Sequence, residues 1–209
     1  MSENTEKESV SGNGLTIPRE VMTEMLAKNF DRLPDIDKKF FKYGNLYLGG
    51  NAAFAGLISN SLYRRTLNIS KGFIASSLPT AALPFLVTAG LYNVLVSDSL
   101  VSSGLNCPTC AMTRGALVGV VGGGGYPILL ALAVNIFLAA RLNTAPMPER
   151  GNVLRHWVDV SRPILRQMRP VLLLQAIFGT YLGSRDFETY TKLARVTFSS
   201  GGEELETKD

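Results

Sequence analysis

Hydrophobic residues in this chain form long uninterrupted blocks, and the charged residues lie between the blocks. Three blocks without any charged side chain cover residues 43–63, 72–97 and 115–140. An α-helix rises 1.5 Å per residue, so about 20 residues are needed to cross the hydrocarbon core of a bilayer. Each block is long enough, and the pattern predicts three transmembrane helices at about 43–63, 73–97 and 115–140.

A fourth apolar block, residues 170–184, is too short to cross a bilayer by itself. Ser161 is a residue type that caps helix N-termini, and Pro163 suits a first helical turn. We therefore predict a fourth transmembrane helix at about 163–184. The arginines near its start can extend their charged ends to the membrane interface.

Two amphipathic segments flank these predicted spans. Apolar residues recur at helical spacing over about 17–33 and 151–161, with polar residues on the opposite face. The second segment predicts an interfacial helix with Trp157 as its membrane anchor. The first predicts a helix on the membrane surface or against the bundle, and docking to a partner is the alternative. The polar ends, 1–14 and 199–209, predict disordered tails.

The predicted fold class is an all-α membrane protein, a bundle of about four transmembrane helices with flanking amphipathic helices. Residues 15–198 are predicted to form one helical membrane domain. The chain has 209 residues, of which 46% are hydrophobic and 18% charged, and its net charge is +4. This mildly basic balance permits contact with membrane lipids. It also permits contact with RNA, although no nucleic-acid motif supports it, and DNA binding is not expected.

The N-terminal residues do not have the composition of a cleaved targeting sequence. Residues 1–14 are polar and contain three glutamates, and the first arginine is Arg19. A secretory signal needs an apolar core, and a mitochondrial presequence is rich in arginine and poor in acidic residues. We expect no cleavable presequence, so any targeting signal should be internal.

Small residues recur every four positions in three of the predicted spans, and this spacing lets helix backbones approach closely. The positions are Ala52, Gly56 and Asn60 in the first span, Gly115, Gly119 and Gly123 in the third, and Gly179 and Gly183 in the fourth. They predict helix-packing faces. Packing within this chain is one interpretation, packing against another membrane subunit is the other, and both can hold.

The polar residues inside the apolar blocks are amides, not ionisable groups. Hydrogen bonding between helices is the ordinary explanation, and a substrate pathway is the alternative. Transporters coupled to protons or ions usually carry ionisable residues at membrane depth, and none lies inside any of the uncharged blocks. Transport is therefore disfavoured. The amides are Asn51, Asn60, Asn93, Asn135 and Gln175.

The two cysteines are the residues that most resemble a reactive site. Cys107 and Cys110 have the Cys-x-x-Cys spacing of redox enzymes, but they lie between two predicted hydrophobic helices. A possible local disulfide or an inert thiol pair is the interpretation, and a thiol oxidoreductase is the alternative. Together with the single His156 they cannot complete a structural zinc site. We predict a non-enzyme without catalytic, cofactor-binding or metal-binding residues.

Several sequence strings resemble the transmembrane protein 126 family, and the resemblance covers about residues 35–195. They include GNLYLGGNAA, SLYRR, CPTCAMTR, LAAR and LLLQAIFGTYLG. The Cys-x-x-Cys followed by Thr-Arg is more similar to the A branch of that family than to the B branch. None of these strings is a known catalytic motif, so they indicate a family and do not indicate a reaction.

The resemblance implies a mitochondrial inner-membrane protein that helps to assemble respiratory complex I. For the A branch it implies work on the distal, ND4-containing part of the membrane arm, together with the membrane insertase and other assembly factors. The family offers no catalytic residues to carry over. A small lipid or metabolite carrier is the alternative, and it would need a polar cavity centred on Asn51, Asn93 or Asn135.

Basic residues are unequally distributed among the predicted loops. The loops 64–72 and 141–169 share one side of a four-span bundle and contain nine lysines and arginines, whereas the loop 98–114 contains only Arg114. The positive-inside rule then places the basic loops in the matrix and both tails in the intermembrane space. Adding the basic residues that flank the first and last spans gives nine on each side, so the orientation rests on the loops.

Overall fold

The computed structural model describes residues 9–12, 15–18, 34–103, 107–144 and 152–206. Within these ranges the chain is helical except for one short hairpin and the turns between helices. The elements are β1 (Ser9–Gly12), β2 (Leu15–Pro18), α1 (Asp35–Thr66), α2 (Phe73–Tyr92), α3 (Asp98–Ser103), α4 (Pro108–Val120), α5 (Tyr126–Leu142) and α6 (Val153–Glu206).

The N-terminal hairpin differs from the sequence prediction. β1 and β2 pair antiparallel, with Ser9 opposite Pro18 and Gly12 opposite Leu15, where we predicted a disordered tail followed by a helix from residue 17. The residues between the strands are Asn13 and Gly14, a dipeptide that favours tight hairpin turns. The rest of the predicted amphipathic helix, residues 19–33, lies outside the described part of the chain.

Helix α1 is 32 residues long, about 48 Å at the standard rise, and extends beyond the predicted span at both ends. Acidic residues lie in its first turn and Arg64 and Arg65 in its last, an arrangement that complements the helix dipole. The chain then turns sharply into α2. Asn68 and Gly72 have φ angles of 51° and 72°, a left-handed conformation that glycine and asparagine adopt most easily.

The second and third predicted spans are each interrupted by a single π-helical segment. Asn93–Ser97 joins α2 to α3, and Val121–Gly125 joins α4 to α5. The second of these contains four consecutive glycines, at residues 122–125, and glycine backbones accommodate a wider turn easily. The continuous segments Phe73–Leu100 and Pro108–Leu142 are the two in the described chain that are long and apolar enough to cross a membrane.

Helix α6 is continuous for 54 residues and contains both the predicted interfacial helix and the predicted fourth span. The predicted boundary at Ser161 is wrong. Ser161 does not cap a helix, and its Oγ instead accepts a hydrogen bond from Tyr63 Oη at 3.0 Å. Pro163 and Pro170 lie inside the helix on its exposed side, where the carbonyls they leave unpaired are not sealed in the core. The helix also continues to Glu206, through most of the predicted disordered C-terminal tail.

The helices pack into one bundle whose core runs along α1. Helix α1 contacts α2, α5 and α6, and α4 lies along α6. One buried cluster joins Leu48, Tyr92 and Leu182 near one end, and a second joins Tyr63, Ile128 and Met168 toward the other. The structure therefore confirms a helical bundle with apolar spans. The crossing of a membrane by α1 and α6 stays a prediction.

Candidate functional site

The helices α4 and α6 contact each other along a face of glycines. A Cβ added to Gly115 would collide with the backbone carbonyl of Gly179, and one added to Gly119 would collide with that of Gln175. Gly183 approaches the carbonyl of Ala111 in the same way. No side chain fits between the two backbones at these positions, so this close approach requires glycine.

A second close approach joins α1 to α2. A Cβ at Gly56 would collide with the carbonyl of Thr80, and a Cβ at Gly49 would lie 2.9 Å from the carbonyl of Phe85. Ala52, from the same predicted face, is completely buried. The predicted small-residue faces thus lie between helices of this chain, where no second chain can reach them.

A buried network of polar side chains ties three helices together. Asn135 Nδ2 donates to Asn60 Oδ1 at 2.7 Å, and Asn60 Nδ2 donates to the hydroxyls of Ser76 and Ser77 at 3.2 Å. Asn60, Ser76 and Asn135 are fully buried. The hydrogen bonds between α1, α2 and α5 therefore form in a setting where unpaired amides would be costly.

Arg64 extends this network to the turn between α1 and α2. It is only 8% exposed, and its guanidinium donates to Ser76 Oγ at 3.0 Å and to the carbonyls of Ser70 and Lys71 at 3.2 Å. The same group lies over the Phe73 ring at 5.6 Å. We counted Arg64 as a loop charge from the sequence, but the structure makes it the group that holds this turn closed.

A cluster of charged residues closes the opposite end of the bundle. Asp37, only 5% exposed, accepts a hydrogen bond from Lys192 Nζ at 3.0 Å and lies 3.7 Å from Arg185. Glu188 pairs with both cations at 3.0 Å. These contacts raise the pKa of Lys192 and lower the pKa of Glu188. They fasten the start of α1 to α6.

Asp186 lies beside this cluster and has a different environment. Its Oδ2 accepts a hydrogen bond from Tyr92 Oη at 2.9 Å, while its Oδ1 has no hydrogen-bond partner within the described residues. Burial raises the pKa of Asp186 to about 7, although the hydrogen bond from Tyr92 acts in the opposite direction. This pair was not predicted, because a lone Asp after an apolar block resembles a solvated helix end.

The two cysteines are free thiols at the start of α4. Cys107 has an extended backbone just before Pro108, and the Cys110 amide donates to the Cys107 carbonyl at 3.2 Å. Hydrogen bonds from the Cys110 thiol and backbone amide lower the pKa of Cys107. The possible disulfide is not formed in this structure. Cys107 nevertheless precedes a helix N-terminus, a placement that we did not expect from the sequence.

Trp157, the predicted interfacial anchor, is partly buried. It packs against a small cluster formed by Leu67, Ile69 and Ala139. The His156 ring lies edge-on to it, with ring centroids 5.2 Å apart. No group of three potential metal ligands occurs among the described residues. The contacts of these side chains are those of helix packing, and they form no catalytic constellation in the described part of the chain.

The outer surface of α1 carries large apolar side chains in a stripe at helical spacing. We name this surface the α1 stripe and define it as Tyr43, Tyr47, Gly50, Phe54 and Ile58. Its four side chains are between 41% and 67% exposed, and nothing lies within 4 Å of a Cβ placed on Gly50. This face is therefore unoccupied by the described residues, unlike the faces that contain Gly49 and Gly56.

Comparison with known proteins places the chain among membrane proteins. The family model described as Transmembrane protein 126 matches residues 20–200. Transmembrane protein 126A is 48% identical in Mus musculus over 173 residues, which is 83% of this chain and 88% of the relative. The Homo sapiens protein of that name is 42% identical over 180 residues, 86% and 91% of the two chains.

A second group of relatives is more distant. The human protein named complex I assembly factor TMEM126B, mitochondrial, is 30% identical over 180 residues, covering 86% of this chain and 77% of that protein. No solved structure matches the chain. The expected likeness to the A branch over the B branch is confirmed by these identities. The match over most of its length shows that the chain belongs to the transmembrane protein 126 family.

Proposed function

We propose that this protein is a non-enzymatic assembly factor of the mitochondrial inner membrane that helps to build the membrane arm of respiratory complex I. The proposal extends to the distal, ND4-containing part of that arm and to work beside the membrane insertase. It supposes four membrane-spanning helices, with both tails in the intermembrane space. The family supports it, since relatives in that family are named as mitochondrial complex I assembly factors.

The observation that carries the proposal is the contrast between two surfaces of α1. Its small-residue face is filled by α2, whereas the α1 stripe is apolar, aromatic and unoccupied by described residues. Exposed aromatic residues around a small one offer another helix both contact area and room for close approach. Such a face can hold an apolar client subunit until its permanent neighbours arrive.

A carrier of lipids or metabolites is less well supported. Asn135 is buried and bonded to Asn60, and Asn93 accepts a hydrogen bond from Asn45 at 3.0 Å. The cavity that the structure shows has apolar walls apart from Arg141, and neither Asn93, Asn135 nor Asn51 lines it. Asn60, Asn93 and Asn135 therefore serve contacts between helices, and the apolar cavity described here is not the polar one that a carrier would need.

Complementation of knock-out cells tests the proposal. Cells that lack the protein should lose assembled complex I on native gels, and re-expression of the full chain should restore it. Normal assembly in the knock-out would refute the proposal. Import of the tagged chain followed by protease treatment of mitoplasts tests the orientation, because a C-terminal tag in the intermembrane space should then be digested.

Site-specific photocrosslinking tests the surface. A photoreactive phenylalanine analogue at Phe54, 67% exposed in the α1 stripe, should capture a complex I membrane subunit in isolated mitochondria. The matched control is Leu129 on α5, which is 66% exposed and lies outside the stripe. Equal capture from both positions would mean that the contacts are random collisions in the bilayer, and the α1 stripe would lose its proposed role.

A further inference from the structure

One cavity of about 570 Å³ lies between the start of α2 and the end of α5, open on its outer side. Ala75 and Pro79 form the wall on α2, and Ala133, Phe137 and Leu138 form the wall on α5. These walls are apolar over almost their whole area, so the cavity suits a hydrocarbon chain and not a polar metabolite.

The polar contact of this groove is provided by Arg141, in the last turn of α5. Its side chain is exposed and has no ion pair or hydrogen bond with any described residue. Lys71, the neighbour of the groove residue Gly72, is exposed and its ammonium is likewise unpaired within the described ranges. Arg64 in the same turn differs, because its guanidinium is buried and fully engaged. Arg141 thus provides an unpaired cation at one end of the apolar groove, and Lys71 lies in the adjoining turn, next in sequence to the groove residue Gly72.

We propose that this groove binds an anionic phospholipid, with an acyl chain between α2 and α5 and the phosphate beside Arg141 and Lys71. The apolar walls suit the acyl chain of the lipid, and the two cations suit the negative charge of its headgroup. A free phosphate would leave the apolar walls empty, and a neutral lipid would leave the cations without a partner. The inference is independent of the assembly function, since it concerns a different face of the bundle.

The single tryptophan provides the readout. Trp157 packs in the same cluster as Leu138, which lines the groove. An acyl chain brominated along its length quenches tryptophan fluorescence only at short range, so a chain in the groove should quench Trp157. The purified full-length protein is reconstituted in vesicles of phosphatidylcholine that contain a small fraction of brominated phosphatidylglycerol, or of brominated phosphatidylcholine instead.

We expect phosphatidylglycerol to quench Trp157 with about fivefold higher apparent affinity than phosphatidylcholine, and R141Q to remove most of this preference. A75F, which fills the groove, should weaken quenching by both lipids. Two controls match these variants. R162Q removes an exposed cation at the same end of the bundle, and A140F adds the same ring at an exposed position outside the groove. Neither should change the preference.

Three results would overturn the proposal. Equal quenching by the two lipids in the unaltered protein would show ordinary bilayer contact. An equal loss in R141Q and R162Q would show diffuse surface charge and no site. Displacement of the lipid by inorganic phosphate at low millimolar concentration would show a phosphate site without an acyl chain. Thermal unfolding of each variant, monitored by circular dichroism, shows whether the variant is folded. A75F and R141Q test the same groove independently.

Discussion

Replacement of Asp186 by asparagine tests the buried carboxyl at the Tyr92 end of the bundle. Asp186 is 1% exposed, and burial raises its pKa from the ordinary 3.8 to about 7. The unfolded chain releases this proton near pH 4, whereas the folded chain keeps it until about pH 7. Between these values the folded state binds more protons, so the free energy of unfolding should fall as the pH rises.

The expected magnitude follows from the shift. A tenfold change in proton affinity corresponds to about 1.4 kcal/mol, so a pKa raised from 3.8 to about 7 destabilises the fold by about 4 kcal/mol once the carboxyl is ionised, above pH 7. At pH 4 the protonated acid and the amide are similar neutral groups, and D186N should change little. Above pH 7 the variant should be more stable than the unaltered protein. This gain in unfolding free energy is reduced by the cost of any hydrogen bond that the buried asparagine amide cannot make.

Reversible unfolding in mixed detergent micelles, measured by circular dichroism from pH 4 to pH 8, provides the assay. The difference in unfolding free energy between D186N and the unaltered protein should grow across this range and then level off. D159N is the control, because Asp159 is exposed and pairs with Arg162 at 3.8 Å only. A difference for D186N that is as flat with pH as that for D159N would refute the reasoning, and would show that water reaches Asp186.

Three further predictions concern the packing and the cysteines. G179A should destabilise the bundle by about 1–3 kcal/mol or more, because its Cβ has no room. G90A is the control and should be neutral or slightly stabilising, because nothing lies within 4 Å of its Cβ. Chemical unfolding of the two variants measures the difference in stability. N135A should cost about 1–3 kcal/mol by leaving its buried amide partner unpaired, in the same assay. The double variant C107S/C110S should still restore complex I in knock-out cells, and failure to do so would favour a redox role for the thiols.

The positions of the helices were largely predictable, because the lengths of uncharged apolar blocks are a property of the sequence itself. The continuous segments Phe73–Leu100 and Pro108–Leu142 contain the predicted second and third spans. The continuity of α6 through Ser161 was not predictable from capping preference. Its hydroxyl bonds to Tyr63, which is 98 residues away in sequence, and only the packed bundle reveals that competing partner.

The candidate sites were predictable only in part, for a related physical reason. Four-residue spacing identified Gly115 and Gly179 as close-packing positions, but spacing cannot say which helix they meet. Asp37 and Asp186 gave no signal, because charged residues at helix ends are usually solvated. Their burial depends on the continuation of α6 beyond residue 184, where the predicted span ends, because this continuation brings Arg185 and Lys192 to Asp37.

The use of glycine inside the bundle constrains how the protein can bind another membrane protein. Gly56, Gly115 and Gly179 are already in contact with backbones of the same chain, and a client cannot use them without separating these helices. Recognition by small-residue faces would therefore compete with folding, whereas recognition by the α1 stripe would not. Variants of the stripe should affect client binding alone, and variants of the glycines should affect stability first. This separation makes it possible to distinguish a failure of assembly from a failure to fold.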